Sequence, residues 1–343
     1  METASSLLKS TRIAARIRGD LRRRAALETD PERQERFLLG EGDVATIGEY
    51  RLYVEQVRRA IRAHRLRAVV TANVIDGYLS ATTEACRREG VPHICVQNSG
   101  LEAVAVPRFA DCDLFFAQSR SLARFLQSHG AIGQVEAVGL PYYDTLVTAL
   151  AERGHGAVMD SFPHLRGKRI IGVTTQTELV NTRPILEQLI TLAERRDDIA
   201  IVLKLHPREP ADAHADIRSR LERTGRGVHV HHVPLTRFLA DCDLLVSSTS
   251  VTILWALVMG VRPISYLDKS WSVFTHELDF MRPEVTTTFE DPIATASFVE
   301  KALDDPTEQP DWRARRADFL QEYVTGADGQ ASERILDHIL RLL

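Results

Sequence analysis

Two segments of nearly the same sequence lie far apart in the chain, and this repeat constrains the fold more than any other feature. Residues 110–119 read ADCDLFFAQS, and residues 240–249 read ADCDLLVSST. Each continues as an apolar run typical of a buried strand and ends in amide or hydroxyl side chains. Two copies of one unit predict two similarly wound α/β domains.

Strand-like and helix-like segments alternate around both copies. The apolar periodicity predicts helices over 50–66, 83–89 and 184–195, and strands over 68–75, 93–97, 169–173, 200–205 and 228–233. This alternation is typical of parallel sheets with crossover helices. We therefore predict an α/β protein of two Rossmann-like domains that face each other across a cleft. The expected divisions are an N-terminal basic helical arm (1–42), a first domain (43–160), a second domain (161–311) and C-terminal helices (312–343).

Composition excludes several classes of protein. The chain has 343 residues, which fits two domains of ordinary size, and a formal net charge of −4, which offers no general attraction for nucleic acid. Its 4 cysteines are scattered singly and read as core residues of a reducing compartment. No apolar stretch approaches the roughly 20 residues that span a bilayer. These features predict a cytoplasmic protein.

The N-terminal arm is the one strongly basic segment. Apolar residues recur at helical spacing between residues 7 and 26, among a series of arginines. One interpretation is a peripheral helix that lies on the anionic inner face of the plasma membrane or packs on a partner. The other is a solvated helix whose arginines face water.

An Asp-x-Asp pattern occurs in both repeat segments, at Asp111 and Asp113 and again at Asp241 and Asp243. Such pairs can bind metal ions, but these four lie where strands begin. Ligands of doubly wound sheets bind beyond the opposite, carboxyl-terminal ends of the strands. We therefore predict turn and capping roles for these aspartates and expect neither a metal nor a cofactor.

Proline ends one predicted strand directly after a histidine. Pro207 cannot donate to a sheet ladder, so the strand stops at His206 and leaves that side chain at the carboxyl-terminal edge. Lys204 and Arg208 lie on either side of it. A solitary histidine is commonly satisfied by a backbone carbonyl, but the basic neighbours favour a phosphate-binding site formed by residues 204 and 206–208.

A hydroxyl-rich segment opens the predicted helix 251–259. Backbone N–H groups at a helix start bind anions, and hydroxyl side chains add donors. Helix capping alone needs one hydroxyl, whereas four occur in succession. Together with the polar turn after strand 169–173, the predicted phosphate-binding residues are Ser247, Ser248, Thr249, Ser250, Thr174, Thr175 and Gln176.

Four segments carry a resemblance to a known group of enzymes: VLKLHPRE, ADCDLLVSSTSVTILWALVMGVRPIS, VGLPYYDTL and DGQASERI. They resemble the GT-B enzymes of bacterial surface-polysaccharide assembly. That group includes HP-motif sialyl- and Kdo-transferases, CDP-glycerol transferases and the related UDP-N-acetylglucosamine 2-epimerases. The resemblance implies that His206 contacts the donor phosphate and that Asp76 is the general base, although Asp76 could equally make a turn with Gly77. It further implies cleft-lining positions at Gln97, Asn98, Gly139, Pro141 and Tyr142.

Two positions depart from the pattern of that group. Trp255 stands where members commonly carry the acidic residue that holds the nucleotide ribose, and Asn98 stands where many carry a histidine. The predicted first domain is also short, since little before residue 66 resembles a strand. Ribose recognition and the acceptor side are therefore expected to differ from those of the resembled enzymes.

The favoured function is a metal-independent glycosyltransferase that moves a sugar or a sugar-like group from a CMP-, CDP- or UDP-linked donor. The expected acceptor is a glycan or lipid-linked glycan in cell-surface (capsule) polysaccharide synthesis. One alternative is a nucleotide-sugar 2-epimerase or hydrolase of the same fold, which the segment DGQASERI favours and Asn98 disfavours. Another is a non-catalytic binding protein of GT-B type.

Overall fold

The computed structural model describes residues 47–72, 77–97, 112–128, 133–151, 157–176, 182–210, 212–267, 279–305, 308–325 and 327–343. The N-terminal arm with its segment 7–26 lies outside these ranges, as do Asp76 and Asn98. Within them, no helix is long and apolar enough to cross a membrane.

The first lobe is built on a four-stranded parallel sheet in the order β1-β2-β3-β4. Its elements are α1 (Ile47–His64), β1 (Val69–Thr71), α2 (Gly77–Glu89), β2 (His93–Val96), β3 (Leu114–Ala117), α3 (Arg120–Ser128) and β4 (Gln134–Ala137). Strand β1 covers 69–71 of the predicted 68–75, of which 73–75 lie outside the described ranges, and α2 begins earlier than the predicted residue 83. The strand order follows the chain order, so each crossover returns the chain to the next position along the sheet.

The second lobe is built on a six-stranded parallel sheet in the order β10-β9-β8-β5-β6-β7. Its elements are β5 (Arg169–Thr174), α6 (Arg183–Arg195), β6 (Ile199–Lys204), α7 (Ala215–Arg223), β7 (Gly227–Val230), α8 (Leu235–Ala240), β8 (Leu244–Ser247), α9 (Val251–Met259), β9 (Arg262–Tyr266), β10 (Thr287–Phe289) and α10 (Pro292–Asp304). Strand order reverses beside β5, as doubly wound sheets require. The α/β prediction is confirmed.

The repeated segments form the same contact in both lobes. The Asp113 N–H donates to the carbonyl of His93, and the Asp113 carboxylate accepts the His93 N–H at 2.8 Å. Asp243 makes the same pair of bonds with Ile170, with its carboxylate 2.6 Å from the Ile170 N. We call Asp113 and Asp243 the strand-start aspartates. They tie neighbouring strands together at the amino-terminal edge, which agrees with the predicted turn role.

Two helices that follow the first sheet pack on the second lobe. These are α4 (Pro141–Ala151) and α5 (Ala157–Ser161). Tyr143 and Val158 lie fully buried in the same apolar cluster as Phe238 and Leu257 of the second lobe. Glycines at 154 and 156 and the proline at 163 stand on either side of α5 in the sequence. The helix forms there because its backbone is capped by Asp241, whose carboxylate accepts the N–H groups of residues 158 and 159.

The C-terminal helices connect the two lobes. Helix α11 (Glu308–Tyr323) packs on α9 and α3, and α12 (Ala331–Leu342) places Ile335 against the first sheet. The Asp144 carboxylate accepts the N–H groups of Ala331 and Ser332 at 3.0 and 2.9 Å, which caps α12. The two segments can approach here because residue 139 is a glycine. Its φ is +87°, and a Cβ at this position would lie 2.1 Å from the Thr325 carbonyl oxygen.

The reciprocal contact of Asp243 generates a prediction about stability. Substitution Asp243→Ala removes the acceptor of the Ile170 N–H and is expected to lower the free energy of unfolding by about 1–2 kcal/mol. Asp337→Ala, on the exposed face of α12, is the control and is expected to change it by less than about 0.5 kcal/mol. Urea denaturation measures both. Equal effects of the two substitutions would contradict the assigned role.

Candidate functional site

Three neighbouring strands end side by side with the predicted phosphate-binding residues. Strand β5 pairs with β6 on one side and β8 on the other. Thr174 ends β5 and Thr175 follows it, His206 follows β6, and Ser247 ends β8. Since all three strands are parallel, these residues share the carboxyl-terminal edge of the sheet. Strands β6 and β8 are two strand spacings apart, roughly 10 Å.

The His206 side chain is half-buried and its ring orientation is fixed by the backbone. Its Nδ1 accepts a hydrogen bond from the Arg208 N–H at 3.1 Å. A neutral ring that accepts through Nδ1 carries its proton on Nε2. Nε2 has no hydrogen-bond partner among the residues that the structure describes. The arrangement therefore presents an N–H donor at the strand end.

Glu209 is a site residue that sequence reasoning missed. Its side chain is 7% exposed, and its carboxylate accepts the His206 N–H at 2.7 Å and the Thr175 hydroxyl. Its other oxygen contacts His214 Nε2 at 3.3 Å. Burial raises the pKa of this carboxyl, but the hydrogen bonds outweigh burial and hold the pKa below its ordinary value. The only sequence signal was its position three residues after His206, within one turn.

Lys204 has partners inside the protein. It is 9% exposed, and its Nζ donates to the Val233 carbonyl at 2.6 Å and lies 3.4 Å from the His231 carbonyl. Burial lowers the pKa of this ammonium group. The lysine thus fixes the segment that follows β7, and a direct contact with phosphate stays a prediction.

The four hydroxyls at the start of α9 divide into two groups. Ser247 accepts a hydrogen bond from Thr174 Oγ1 at 2.7 Å, and Ser250 is the N-cap, accepting from the Thr252 N–H at 3.2 Å. The buried Ser248 Oγ has no hydrogen-bond partner within the described ranges. Thr249 is half-buried beside it. Capping and strand pairing account for two hydroxyls, and binding of a ligand by Ser248 and Thr249 stays a prediction.

The remaining residues of the predicted site differ in accessibility. Pro207 and Arg208 are exposed, and Gln176 is half-buried at the last described position of its turn. In the first lobe, Gln97 is buried after β2 and its Oε1 accepts the Gln118 N–H at 2.8 Å. Gly139 allows the close approach described above, and Pro141 is the exposed first residue of α4.

Tyr142 and Trp255 meet between α4 and α9. Their ring centroids are 5.1 Å apart, and both the Tyr142 hydroxyl and the Trp255 Nε1 are buried without a hydrogen-bond partner of good geometry in the part of the chain that is described. Burial raises the pKa of Tyr142. Trp255 therefore packs against the first-lobe helix with a large apolar surface, where the resembled enzymes carry a carboxylate.

The described residues contain no group of three or more His, Cys, Asp or Glu side chains arranged to hold a metal ion. The donors at the strand edge are hydroxyls, an imidazole and the first backbone N–H groups of α9. Such groups can bind anions without the help of a metal ion. The edge is therefore chemically suited to a phosphate or diphosphate.

One protein-family model matches most of the chain. Residues 97–341 match the family described as CDP-Glycerol:Poly(glycerophosphate) glycerophosphotransferase. The matched range includes His206 and the hydroxyls at the start of α9. No curated protein sequence is significantly similar to the chain.

Solved structures share the two-lobed fold at low sequence identity. UDP-GlcNAc 2-epimerase from Neisseria meningitidis, bound to UDP-GlcNAc, has a TM-score of 0.59 at 13% identity, covering 86% of this chain and 81% of that one. S. aureus MnaA with UDP has a TM-score of 0.57 at 17% identity, covering 86% and 80%. The wall teichoic acid polymerase TagF has a TM-score of 0.53 at 15% identity, covering 80% and 72%. The predicted GT-B fold and the resemblance are confirmed.

The division of the hydroxyls generates a prediction. Ser250→Ala removes the N-cap of α9 and is expected to lower the free energy of unfolding by about 1 kcal/mol. Ser248→Ala removes a buried hydroxyl that has no described partner and is expected to leave stability unchanged or slightly raised. Guanidinium denaturation of the two variants measures the difference. A larger loss for Ser248→Ala would show that this hydroxyl serves the fold.

Proposed function

The chain belongs to the CDP-glycerol:poly(glycerophosphate) glycerophosphotransferase family, and on this premise we propose that it transfers a phosphorylated polyol such as glycerol phosphate from a CDP-linked donor. The acceptor is the growing end of a cell-surface polymer. Membership makes the chain a transferase-type enzyme that uses a nucleotide-activated donor. The choice of a CDP-linked polyol over a sugar donor is the finer part of the proposal and follows the family description.

One observation carries the proposal: the carboxyl ends of β5, β6 and β8 bring an imidazole donor and a helix start to the same sheet edge. In the proposed complex the donor diphosphate lies along this edge. His206 Nε2–H donates to one phosphate, and the α9 start with Ser248 and Thr249 donates to the other. The N-terminus of α9 adds a partial positive charge on the order of +0.5.

The proposed reaction is a displacement at phosphorus. An acceptor hydroxyl oxygen attacks the phosphorus that bears the polyol, the new P–O bond forms, and the bond to the bridging oxygen breaks. CMP leaves with that electron pair. The hydroxyl proton passes to a general base, for which we propose Asp76. In the sequence Asp76 stands between β1 and α2, and a partly desolvated carboxylate can accept such a proton.

No metal is part of the proposal. The charge that develops on CMP is met by fixed donors of this chain, namely the imidazole, the hydroxyls and the helix start. The glycan or lipid-linked acceptor and the membrane contact through residues 7–26 also remain proposals. An arginine-rich helix on an anionic membrane surface would keep the enzyme close to a lipid-linked acceptor.

Nucleotide binding gives the first test. Thermal-shift measurements with CMP, CDP, UDP and GDP are expected to show the largest stabilisation with CDP, of about 3–5 °C at a hundredfold excess over Kd, because a ligand that binds only the folded state stabilises it. His206→Ala is expected to weaken CDP binding about 10- to 100-fold, since a hydrogen bond to a charged group is lost. His164→Ala, an exposed histidine at the opposite edge of β5, is the control. Stabilisation by UDP or GDP alone would contradict the donor assignment.

Turnover gives the second test. Incubation with CDP-glycerol and a glycerol-phosphate-primed acceptor is expected to release CMP only when the acceptor is present. Asp76→Asn is expected to keep CDP affinity and to lower the transfer rate about 10²- to 10⁴-fold, as the loss of a general base does. Incubation of UDP-N-acetylglucosamine alone tests the epimerase and hydrolase alternatives. A changed or free sugar at catalytic rates would overturn the proposed transfer.

A further inference from the structure

The segment after β6 folds into a turn that closes on the Glu209 carboxylate. The Glu209 N–H donates to the His206 carbonyl at 3.0 Å, while the Glu209 side chain accepts the His206 N–H at 2.7 Å. Pro207, at the second position of this turn, has the φ that such a turn needs. Both backbone groups of His206 are therefore held by one residue.

The same carboxylate joins the ends of two strands. Thr175 follows β5, and its hydroxyl donates to Glu209 and accepts the His206 N–H at 3.0 Å. The Thr175 N–H donates to the Lys204 carbonyl at 3.1 Å, which extends the ladder between β5 and β6 by one residue. Glu209 thus fixes His206 relative to the strand beside it as well as within its own turn.

His214 completes this arrangement from a strained backbone conformation. It has φ +55° and ψ +30°, the left-handed region that residues other than glycine avoid at a cost of roughly 1 kcal/mol. No side-chain hydrogen bond caps α7 from this position. Its imidazole instead lies 3.3 Å from Glu209 Oε1. Strain of this kind persists where surrounding contacts over-determine it, often beside functional groups.

The orientation of the His206 ring depends on the turn. Arg208 lies inside the turn, and its N–H is the donor that Nδ1 accepts at 3.1 Å. If the turn opened, this N–H would move and the ring would lose the contact that fixes both its rotation and the position of its proton. Glu209 bonds to the backbone of His206, and no hydrogen bond joins it to the His206 imidazole in the described part of the chain.

From these contacts we infer that Glu209 is a positioning residue for His206, supported by His214, and that it sets donor affinity by aiming Nε2–H at the phosphate. The inference rests on the proposed function, because it assigns the purpose of the turn to the donor site. Glu209 does not touch the donor. Its effect on binding passes entirely through the imidazole.

A double-mutant cycle on CDP affinity, measured by calorimetry with the full chain, tests the inference. Glu209→Ala is expected to weaken CDP binding about tenfold in the protein that retains His206, as small misplacements of binding groups do. In the His206→Ala background the same substitution is expected to change affinity less than about twofold, because residues that act as a unit are not additive. A residue that only supported the fold would lower affinity by the same factor in both backgrounds.

Two further variants serve as a conservative substitution and as a control. Glu209→Gln keeps an oxygen acceptor of the same length and is expected to recover part of the affinity, and it stands in for Glu209→Ala if that variant fails to fold. Glu222→Ala breaks another glutamate–histidine pair, in which Glu222 lies 2.6 Å from His229. Glu222 lies in the last turn of α7, at the opposite end of that helix from His214, so CDP affinity is expected to be unchanged.

The outcomes separate the two proposals. If the unsubstituted protein binds none of the nucleotides, the proposed function fails, whatever Glu209 does. If it binds CDP and the Glu209 variants bind equally well, or the effects of residues 206 and 209 are additive, the positioning role is overturned while the proposed function stands.

Discussion

The pairing of β5 between β6 and β8 is the constraint on which the site depends. Each strand delivers a different chemical group to the same edge: a pair of threonines, an imidazole and a run of hydroxyls. None of these groups is unusual alone. Parallel pairing places them in one row because every strand of the sheet ends on the same side. Two hydrogen bonds, from the Thr174 hydroxyl to Ser247 and from the His206 N–H to the Thr175 hydroxyl, then hold the neighbouring strand ends together.

The amino-terminal edges of the two sheets explain the sequence repeat. The strand-start aspartates Asp113 and Asp243 join neighbouring strands where those strands begin, and each does so with two hydrogen bonds to one residue. A short strand has few ladder bonds, so an added charged acceptor at its first residue matters for register. The repeat therefore records a structural need that both lobes share. The two copies diverge at the other end, where one continues with Gln118 and the other with Ser248.

Sequence reasoning found the parts of the site that follow from periodicity and chain breaks. Strand β6 ends at Lys204, one residue before the predicted end and three before Pro207, and the helix over 251–259 lies at the predicted residues because an N-cap serine and a C-terminal glycine delimit it. It could not foresee where the Lys204 ammonium points, since that depends on the loop after β7. It also missed Glu209, because a buried glutamate is identified by its three-dimensional partners and has no spacing rule.

The C-terminal segment shows a second kind of limit. Gly139 was assigned to the cleft through its resemblance to known enzymes, yet its described contact is with the carbonyl of Thr325. Two of the resembling segments meet through Asp144, which caps α12. Motifs therefore mix residues that hold the lobes together with residues that face a ligand. A single sequence does not separate these two uses, because both require fixed residue types at fixed places.

The kind of donors at the strand edge fits the proposed displacement better than a lysine would. When the bridging bond breaks, the departing nucleotide phosphate gains one negative charge, and catalysis requires groups that bind this charge more strongly than the starting diphosphate. A flexible ammonium follows the charge wherever it lies. His206 Nε2–H and the start of α9 are fixed by hydrogen bonds on their far sides, so their positions select one location for the charge. Lys204 Nζ donates to backbone carbonyls, so in the proposed reaction the selection of that location falls to His206 and the start of α9.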